Sequence, residues 1–359
     1  MKKKVCFFSG DITRSGGTER VSIQLANALK QDGTYDICFV SLTEQSENPF
    51  YPLDPEIERY RLGEKWINPG PKYIPLIGKL RRLIKEKKID IIIDIDIVLD
   101  VLSIPATRGL NTKVVSWEHF NCEFEQSVSY RKMILKYSVK HSDHVVVLTD
   151  LDLAEYKNLG RNKAISRIYN PVAYNFETTS KNRENIILSV GRLVPEKGID
   201  YIKEVALRVL KKHSDWKWII LGDGEKRAEL ETFIEKNQLK DQLILMGCVY
   251  NVSEYLSKAK IFVLTSLYEG LGLSMLEARE MKVPCVAFDI KMGPKELINN
   301  GVDGYLVEPF DCIEMARKIE KLINDPELRE RFAENAFLCM DEFRIDKIVG
   351  QWKKVLKLL

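Results

Sequence analysis

The sequence predicts an α/β protein of two Rossmann-like, doubly wound domains facing across a cleft, with a C-terminal helical tail. Three observations predict it. Short β-branched runs alternate with amphipathic stretches from end to end, glycine-containing loops follow several of those runs, and a polar stretch divides the alternation into two series. The chain has 359 residues, 45% of them hydrophobic, which exceeds what one core usually organises.

In the first series the strands fall at 5–9, 36–41, 89–94, 113–117, 145–148 and 165–169. A second series follows at 185–190, 217–221, 243–246, 261–264, 284–288 and 304–307. Between them lie Asn170-Pro171 and the linker-like run from Glu177 to Glu184. The expected domains are therefore 1–172 and 173–340, with a helix over 341–359 that packs back on the N-terminal domain. Apolar Met315, Ile319, Leu322, Phe332, Phe337, Val349 and Val355 give residues 310–359 a mostly helical spacing with no strand-like run. In open α/β sheets, ligands bind beyond the carboxyl ends of the strands.

Charge and composition exclude several classes. Lys plus Arg total 55 against 52 Asp plus Glu, a net +3 that is far from a nucleic-acid coat, so no nucleic-acid partner is expected. No apolar run approaches the roughly 18 residues of a spanning helix, and Met1-Lys2-Lys3-Lys4-Val5 is too short an apolar start for a signal peptide. A cytoplasmic protein is the expectation. Seven scattered cysteines without a CxxC pair fit reduced, packed thiols rather than a disulfide frame or a zinc site.

Three loops carry chemistry. Gly10 to Arg20 follows the first strand and places Gly16 and Gly17 before a helix, where a phosphate or sugar can approach backbone amides; a plain βα turn reads equally from the residues. Gly191-Arg192-Leu193-Val194-Pro195-Glu196-Lys197-Gly198 offers a planar guanidinium and a point charge to bracket a diphosphate, unless both are merely solvated cations. The segment from Ser266 to Ala278 holds Glu269, two glycines and then Glu277, with seven residues between the carboxylates. Carboxylates accept from sugar and ribose hydroxyls, and first-turn amides donate to phosphate. One molecule that wants both is a nucleotide sugar; the bland reading is an ordinary loop with two solvated glutamates.

On these residues the sequence resembles the retaining glycosyltransferases of family four, of GT-B fold. The likeness runs from Ser15-Gly16-Gly17-Thr18-Glu19-Arg20 through Gly191-Arg192, Lys197-Gly198, Gly222-Asp223-Gly224, Met246-Gly247 and the Glu269 to Glu277 signature, to Gly301-Val302-Asp303-Gly304. The resemblance implies Arg192 and Lys197 on the donor diphosphate, with Gly191 in the same loop, and Glu277 on the ribose. It implies Glu269 with the backbone of Gly270, Leu271, Gly272 and Leu273 on the donor sugar and distal phosphate. Val249 would border the base, and Gly16 with Gly17 would close over the diphosphate. His119, at the end of a first-domain strand, would face the donor sugar, with Glu118 making the alignment ambiguous by one residue. His141, His144 and His213 are read as structural.

The implied activity is retaining transfer of a hexose-type sugar to a saccharide or lipid-linked saccharide acceptor. Trp117-Glu118-His119-Phe120-Asn121 and Gly293-Pro294-Lys295-Glu296 resemble bacterial surface-polysaccharide enzymes, which favours UDP as the donor nucleotide. A nucleotide-sugar epimerase of the same fold and a non-catalytic nucleotide-sugar sensor are the alternatives. No cofactor or metal is expected, because protein cations and helix-end amides can stabilise the leaving diphosphate. Asp94-Ile95-Asp96 resembles a metal-binding pair but interrupts a strand-like run over 89–98.

One local basic stretch stands apart. Residues 65–88 hold eight cations against Glu86 alone, beside apolar Leu76, Ile77, Leu80, Leu83 and Ile84 at helical spacing. An anionic membrane surface is the expected partner, with Lys79, Arg81, Arg82 and Lys85 as contacts and Trp66 and Tyr73 anchoring the preceding loop. The protein would then be peripheral on the inner face of the cell membrane. The competing reading packs the stripe on the domain's own sheet.

Overall fold

The computed structural model describes residues 2–64, 73–159, 164–172 and 183–359. The chain forms two compact units, Met1–Ala173 with Glu342–Leu359, and Tyr174–Asp341.

Unit 1 runs β1 (Lys4–Ser9), α1 (Gly17–Asp32), β2 (Asp36–Ser41), β3 (Glu58–Arg61), α2 (Ile74–Lys87), β4 (Ile91–Ile95), α3 (Asp100–Thr107), β5 (Lys113–Trp117), α4 (Cys122–Ser127), α5 (Ser129–His141), β6 (His144–Val147), α6 (Asp150–Leu159) and β7 (Ile165–Arg167). Its sheet is wholly parallel in the order β3-β2-β1-β4-β5-β6-β7. The central strands are buried on both faces, which is why β1 reads as continuous Val5-Cys6-Phe7-Phe8 rather than as alternation. Right-handed crossovers place α1 on one face and α2, α3 and α5 on the other, with α3 packed between α2 and α5. Leu76, Leu80 and Ile84 of α2 enter the core with Phe8, Val40 and Ile92.

Unit 2 runs β8 (Ile186–Val190), α7 (Ile199–Leu210), β9 (Lys217–Leu221), α8 (Arg227–Lys236), β10 (Leu243–Gly247), α9 (Val252–Lys258), β11 (Ile261–Leu264), α10 (Leu273–Glu280), β12 (Cys285–Phe288), α11 (Pro294–Leu297), β13 (Gly304–Val307), α12 (Cys312–Asn324) and α13 (Pro326–Leu338). Its strand order is β10-β9-β8-β11-β12-β13, again all parallel. In both sheets the winding direction reverses beside the first strand, between β1 and β4 and between β8 and β11. Those reversals are the switch points where ligands bind.

Two details depart from the sequence expectations. β3 was not anticipated: Glu58-Arg59-Tyr60-Arg61 is an edge strand with no fully buried residue. The run over 89–98 is not one strand, because Asp96 takes φ 97° and its carboxylate caps a 3-10 turn at Ile97–Leu99. Helices α12 and α13 belong to unit 2, and α14 (Ile345–Leu358) packs back on α1 in unit 1, the division expected for residues 341–359. There Trp352 meets Trp117 edge-on at 4.9 Å and Lys353 donates to Asp32 at 2.6 Å. The linker residues Glu177 to Asn182 lie outside the described residues.

Candidate active site

The two loops that flank the switch point of unit 2 carry the charged motifs. After β8, the chain turns through Gly191 to Lys197 in a short 3-10 turn and enters α7 at Gly198. After β11, Thr265 to Gly272 leads into α10. Gly198 has φ 66°, and a Cβ there would lie 2.0 Å from the Thr265 carbonyl oxygen, so the loops touch backbone to backbone. Thr265 Oγ1 donates to the Lys197 carbonyl at 2.9 Å and the Leu267 amide to the Glu196 carbonyl at 2.8 Å.

This cross-bracing brings together residues 72 apart in sequence. Lys197 Nζ lies 2.5 Å from Glu269 Oε1, which also accepts from Ser266 Oγ at 2.6 Å. The Glu269 side chain is 9% exposed and Lys197 26%, so the pair is largely screened from water. Arg192 is exposed and forms no ion pair among the described residues. Gly191, Arg192, Lys197, Thr265 and Ser266 line a pocket between the loops. Gly222, with φ 135°, lets the β9 loop approach to where a Cβ would lie 2.0 Å from the Gly191 carbonyl.

Gly272 caps α10 with φ 86°, and the first-turn amides at Leu273 have no intrahelical acceptor. Leu271 is buried, Gly270 sits in the same loop, and Glu277 is buried in the second turn of α10. Val249 is half-buried just beyond β10. Sequence reasoning did not assign Thr265, Ser266 or Gly198 to the site. Gly293, quoted only within a subgroup motif, has φ 92° and a would-be Cβ 2.9 Å from Glu269 Cβ, so it leaves room for that side chain.

In unit 1 the loop after β1 is organised by Asp11, which accepts from the Thr13 amide and hydroxyl and from the Gln45 amide. Gly16 and Gly17 stand at the start of α1, where the buried Glu19 carboxylate, held by Arg14 and Thr18, fills the space beside Gly16. At the end of β5 the structure separates the two neighbours that sequence could not. Glu118 accepts from the Phe120 amide at 2.8 Å and the Tyr156 hydroxyl at 3.2 Å, and burial pushes its carboxyl well above the usual range. His119 is 8% exposed, packs on Trp117 at 4.4 Å between centroids, and neither ring nitrogen has a hydrogen-bond partner among the described residues. Burial alone pushes its pKa down to about 3. His144 instead bonds Ser166 Oγ at 2.9 Å.

Asp94 and Asp96 are both engaged by protein. Asp94 is fully buried in β4 and accepts from Ser103, and Asp96 accepts from Arg131 at 3.0 Å. Among the described residues no three His, Cys, Asp or Glu side chains group as a metal site. The cations of the basic helix differ in their partners. Arg81 donates to the carbonyls of Ala106 and Arg108 at 2.8 Å, closing the end of α3, and Lys79 donates to the Leu62 carbonyl at 3.1 Å. Tyr73 is buried and anchors nothing outside; Trp66 lies outside the described residues. Lys79, Arg82 and Lys85 are exposed. No described helix is long and apolar enough to cross a membrane.

Two parallel sheets of Rossmann order, with cations and a carboxylate gathered at a switch point, define the class of GT-B nucleotide-sugar enzymes. Comparison with known proteins agrees. Residues 15–176 match the family described as Glycosyltransferase Family 4 and residues 173–338 match Glycosyl transferases group 1. The chain is 33% identical over 355 residues to an uncharacterized glycosyltransferase of Haemophilus influenzae, covering 99% of this chain and 100% of that one. It is 29% identical, over 95% of each chain, to the Campylobacter jejuni GalNAc-alpha-(1->4)-GalNAc-alpha-(1->3)-diNAcBac-PP-undecaprenol alpha-1,4-N-acetyl-D-galactosaminyltransferase. Among solved structures, Anabaena HepE in complex with UDP-glucose superposes with a TM-score of 0.83 at 20% identity, over 99% of this chain and 100% of that one. S. aureus TarM gives 0.82 at 18% identity over 99% of each. The chain belongs to glycosyltransferase family 4 of the group 1 glycosyl transferases, and it is a glycosyltransferase of GT-B fold.

Proposed function

We propose that the enzyme moves a hexose-type sugar from a UDP-sugar to a saccharide or lipid-linked saccharide acceptor, with retention at the anomeric carbon. The observation that carries the donor reading is the Lys197–Glu269 pair at the β8/β11 switch point. It puts a cation fit for a diphosphate beside a carboxylate fit for sugar hydroxyls. UDP is supported by the UDP-glucose complex of the HepE relative in fold, and a lipid-linked acceptor by the name of the Campylobacter relative.

On this reading the incoming diphosphate replaces Glu269 as the partner of Lys197, and Arg192 closes on it from the same loop. Glu269 is then released to accept hydroxyl protons of the sugar. The bond from the anomeric carbon to the phosphate oxygen breaks, and that to the acceptor oxygen forms on the same face. The acceptor's proton passes to the departing diphosphate, whose growing charge Arg192, Lys197 and the α10 amides stabilise. His119 is neutral at any working pH and hydrogen-bonds the sugar, satisfying a ring that has no protein partner among the described residues. The test is proton NMR of the first product formed from an α-linked UDP-sugar, alongside UDP release. An α-linked product with acceptor-dependent UDP release supports the reading; a β-linked product, or sugar isomerisation without an acceptor, refutes it.

A further inference from the structure

We propose that Arg131 is a positioning residue for the transfer reaction: it fixes the loop that carries His119 by tying that loop to the end of β4. The proposal rests on the reading above that His119 hydrogen-bonds the donor sugar. Neither ring nitrogen of His119 has a protein partner among the described residues, so packing on Trp117 and the backbone on either side set its aim. A hydrogen bond weakens steeply with angle, and this one therefore depends on what holds that backbone.

Asp96 and Arg131 hold it from both sides. Before His119, the Asp96 amide donates to the Trp117 carbonyl at 3.0 Å. After it, the Arg131 guanidinium lies 5.0 Å from the Phe120 ring centre and 5.6 Å from that of Phe124, and the two rings stack at 5.3 Å. The guanidinium links these points. Its Nη2 donates to both Asp96 carboxylate oxygens at 3.0 and 3.2 Å, and its Nε to those of Glu125 at 2.8 and 2.9 Å. Glu125 belongs to α4, Arg131 to α5, and Asp96 follows β4, so one side chain joins three segments around the loop. Asp96 holds φ 97°, a conformation that an ordinary residue keeps only where its surroundings impose it.

The task requires a planar fork. Arginine can meet two carboxylates with its N–H groups and still present a flat face to an aromatic ring, whereas lysine offers a point charge without that geometry. Positive charge is also scarce here. Glu118, Glu125 and Asp96 all act electrostatically on the guanidinium, which belongs to a residue only 8% exposed. Burial pushes the Glu118 carboxyl well above the usual range and that of Glu125 up to about 7. Removing the cation outright would leave buried acids unpaired, so the informative change keeps the charge and alters its shape. The loop has further ties that do not involve Arg131: Glu118 accepts from the Phe120 amide, Asn121 from the Phe124 amide at 2.8 Å and Asp152 from the Cys122 amide at 3.0 Å. These keep the loop folded when Arg131 is altered, which confines the effect to the aim of His119.

Arg131→Lys tests this in the full chain against His119→Ala, with Asp96→Asn as a second variant that keeps an oxygen to cap the Val98 amide. Each folded variant should lower kcat for sugar transfer ~10-fold or more, with the dissociation constant for UDP alone unchanged by calorimetry. Combined with His119→Ala, each should lose no more than His119→Ala does alone, which marks a residue acting through another. The imidazole nitrogen NMR signals of His119 at about pH 5, neutral in wild type, should move toward the cation in both variants as water reaches the ring. Additive losses in the double variants overturn the proposal. So does wild-type kcat in Arg131→Lys and Asp96→Asn while His119→Ala is impaired. Wild-type kcat in His119→Ala removes the sugar contact on which the proposal rests, and the imidazole signals, which need no donor, tell the two failures apart.

Discussion

Adding one methyl group at Gly198 should disable the donor site without touching any charged residue. Gly198 occupies the left-handed region at φ 66°, which costs an ordinary L-residue roughly 1–2 kcal/mol. Its new Cβ would also lie 2.0 Å from the Thr265 carbonyl oxygen, and backbone of this kind cannot rotate aside as a flexible side chain does. Relieving the overlap means moving the β8 and β11 loops apart by about 1 Å, an overpacking typically worth a further ~1–3 kcal/mol. The same movement separates Lys197 from Glu269, now 2.5 Å apart. A misplacement of about 1 Å commonly costs ~100-fold in rate. Gly198→Ala should therefore lower kcat about 100-fold and the melting temperature by several degrees, read by UDP release at saturating donor and by calorimetry. Wild-type kcat with an unchanged melting temperature would refute the cross-braced loops as the frame of the site.

The remaining predictions concern other parts of the account. Glu277→Gln should raise KM for the donor more than it lowers kcat, since ribose hydroxyls do not change in the transition state; an equal loss of kcat at saturating donor would contradict that role. Activity should persist in excess EDTA, because the cations assigned to the diphosphate belong to the chain; loss on chelation with recovery on manganese or magnesium would reverse this. His119 should make unit 1 acid-sensitive. Its folded pKa, pushed down to about 3 by burial, lies below an unfolded value near 6.5, so the unfolded chain gains a proton first. The contribution is nearly complete above pH 7 and shrinks as pH falls toward 3, by roughly 2 kcal/mol between pH 6.5 and 4.5. His119→Gln should remove that part of the acid-side slope in urea titrations at the two pH values, and an unaltered slope would mean that the imidazole is not buried neutral.

What could be read from sequence followed from how local each signal is. The parallel strands declared themselves because burial on both faces forces apolar runs such as Ile91-Ile92-Ile93, and glycine with charge after such a run marks a strand-end loop. The edge strand β3 escaped because Glu58-Arg59-Tyr60-Arg61 has one sheet neighbour and no buried face to impose a pattern. The sequence motifs named Lys197 and Glu269 separately, but their contact spans 72 residues and depends on Gly198 letting two backbones meet. The acidic pair at Asp94 and Asp96 was set aside on sequence because it interrupts an apolar run, and its partners Ser103 and Arg131 come from other elements that no local signal names. For the basic helix, composition could not tell Arg81, spent on backbone carbonyls, from Arg82, which is exposed.

The central claim is that the β8 and β11 loops hold a UDP-sugar, and a thermal-shift panel of UDP-, GDP- and ADP-sugars against wild type, Arg192→Ala and Lys197→Ala tests it most directly. At about 100 times its dissociation constant the correct donor should stabilise wild type by roughly 2.7 kcal/mol. The account predicts a rise with UDP-sugars alone, diminished in both variants while their own melting temperatures stay near that of wild type. An equal rise in wild type and both variants, or a rise with GDP- or ADP-sugars and none with UDP-sugars, would contradict it.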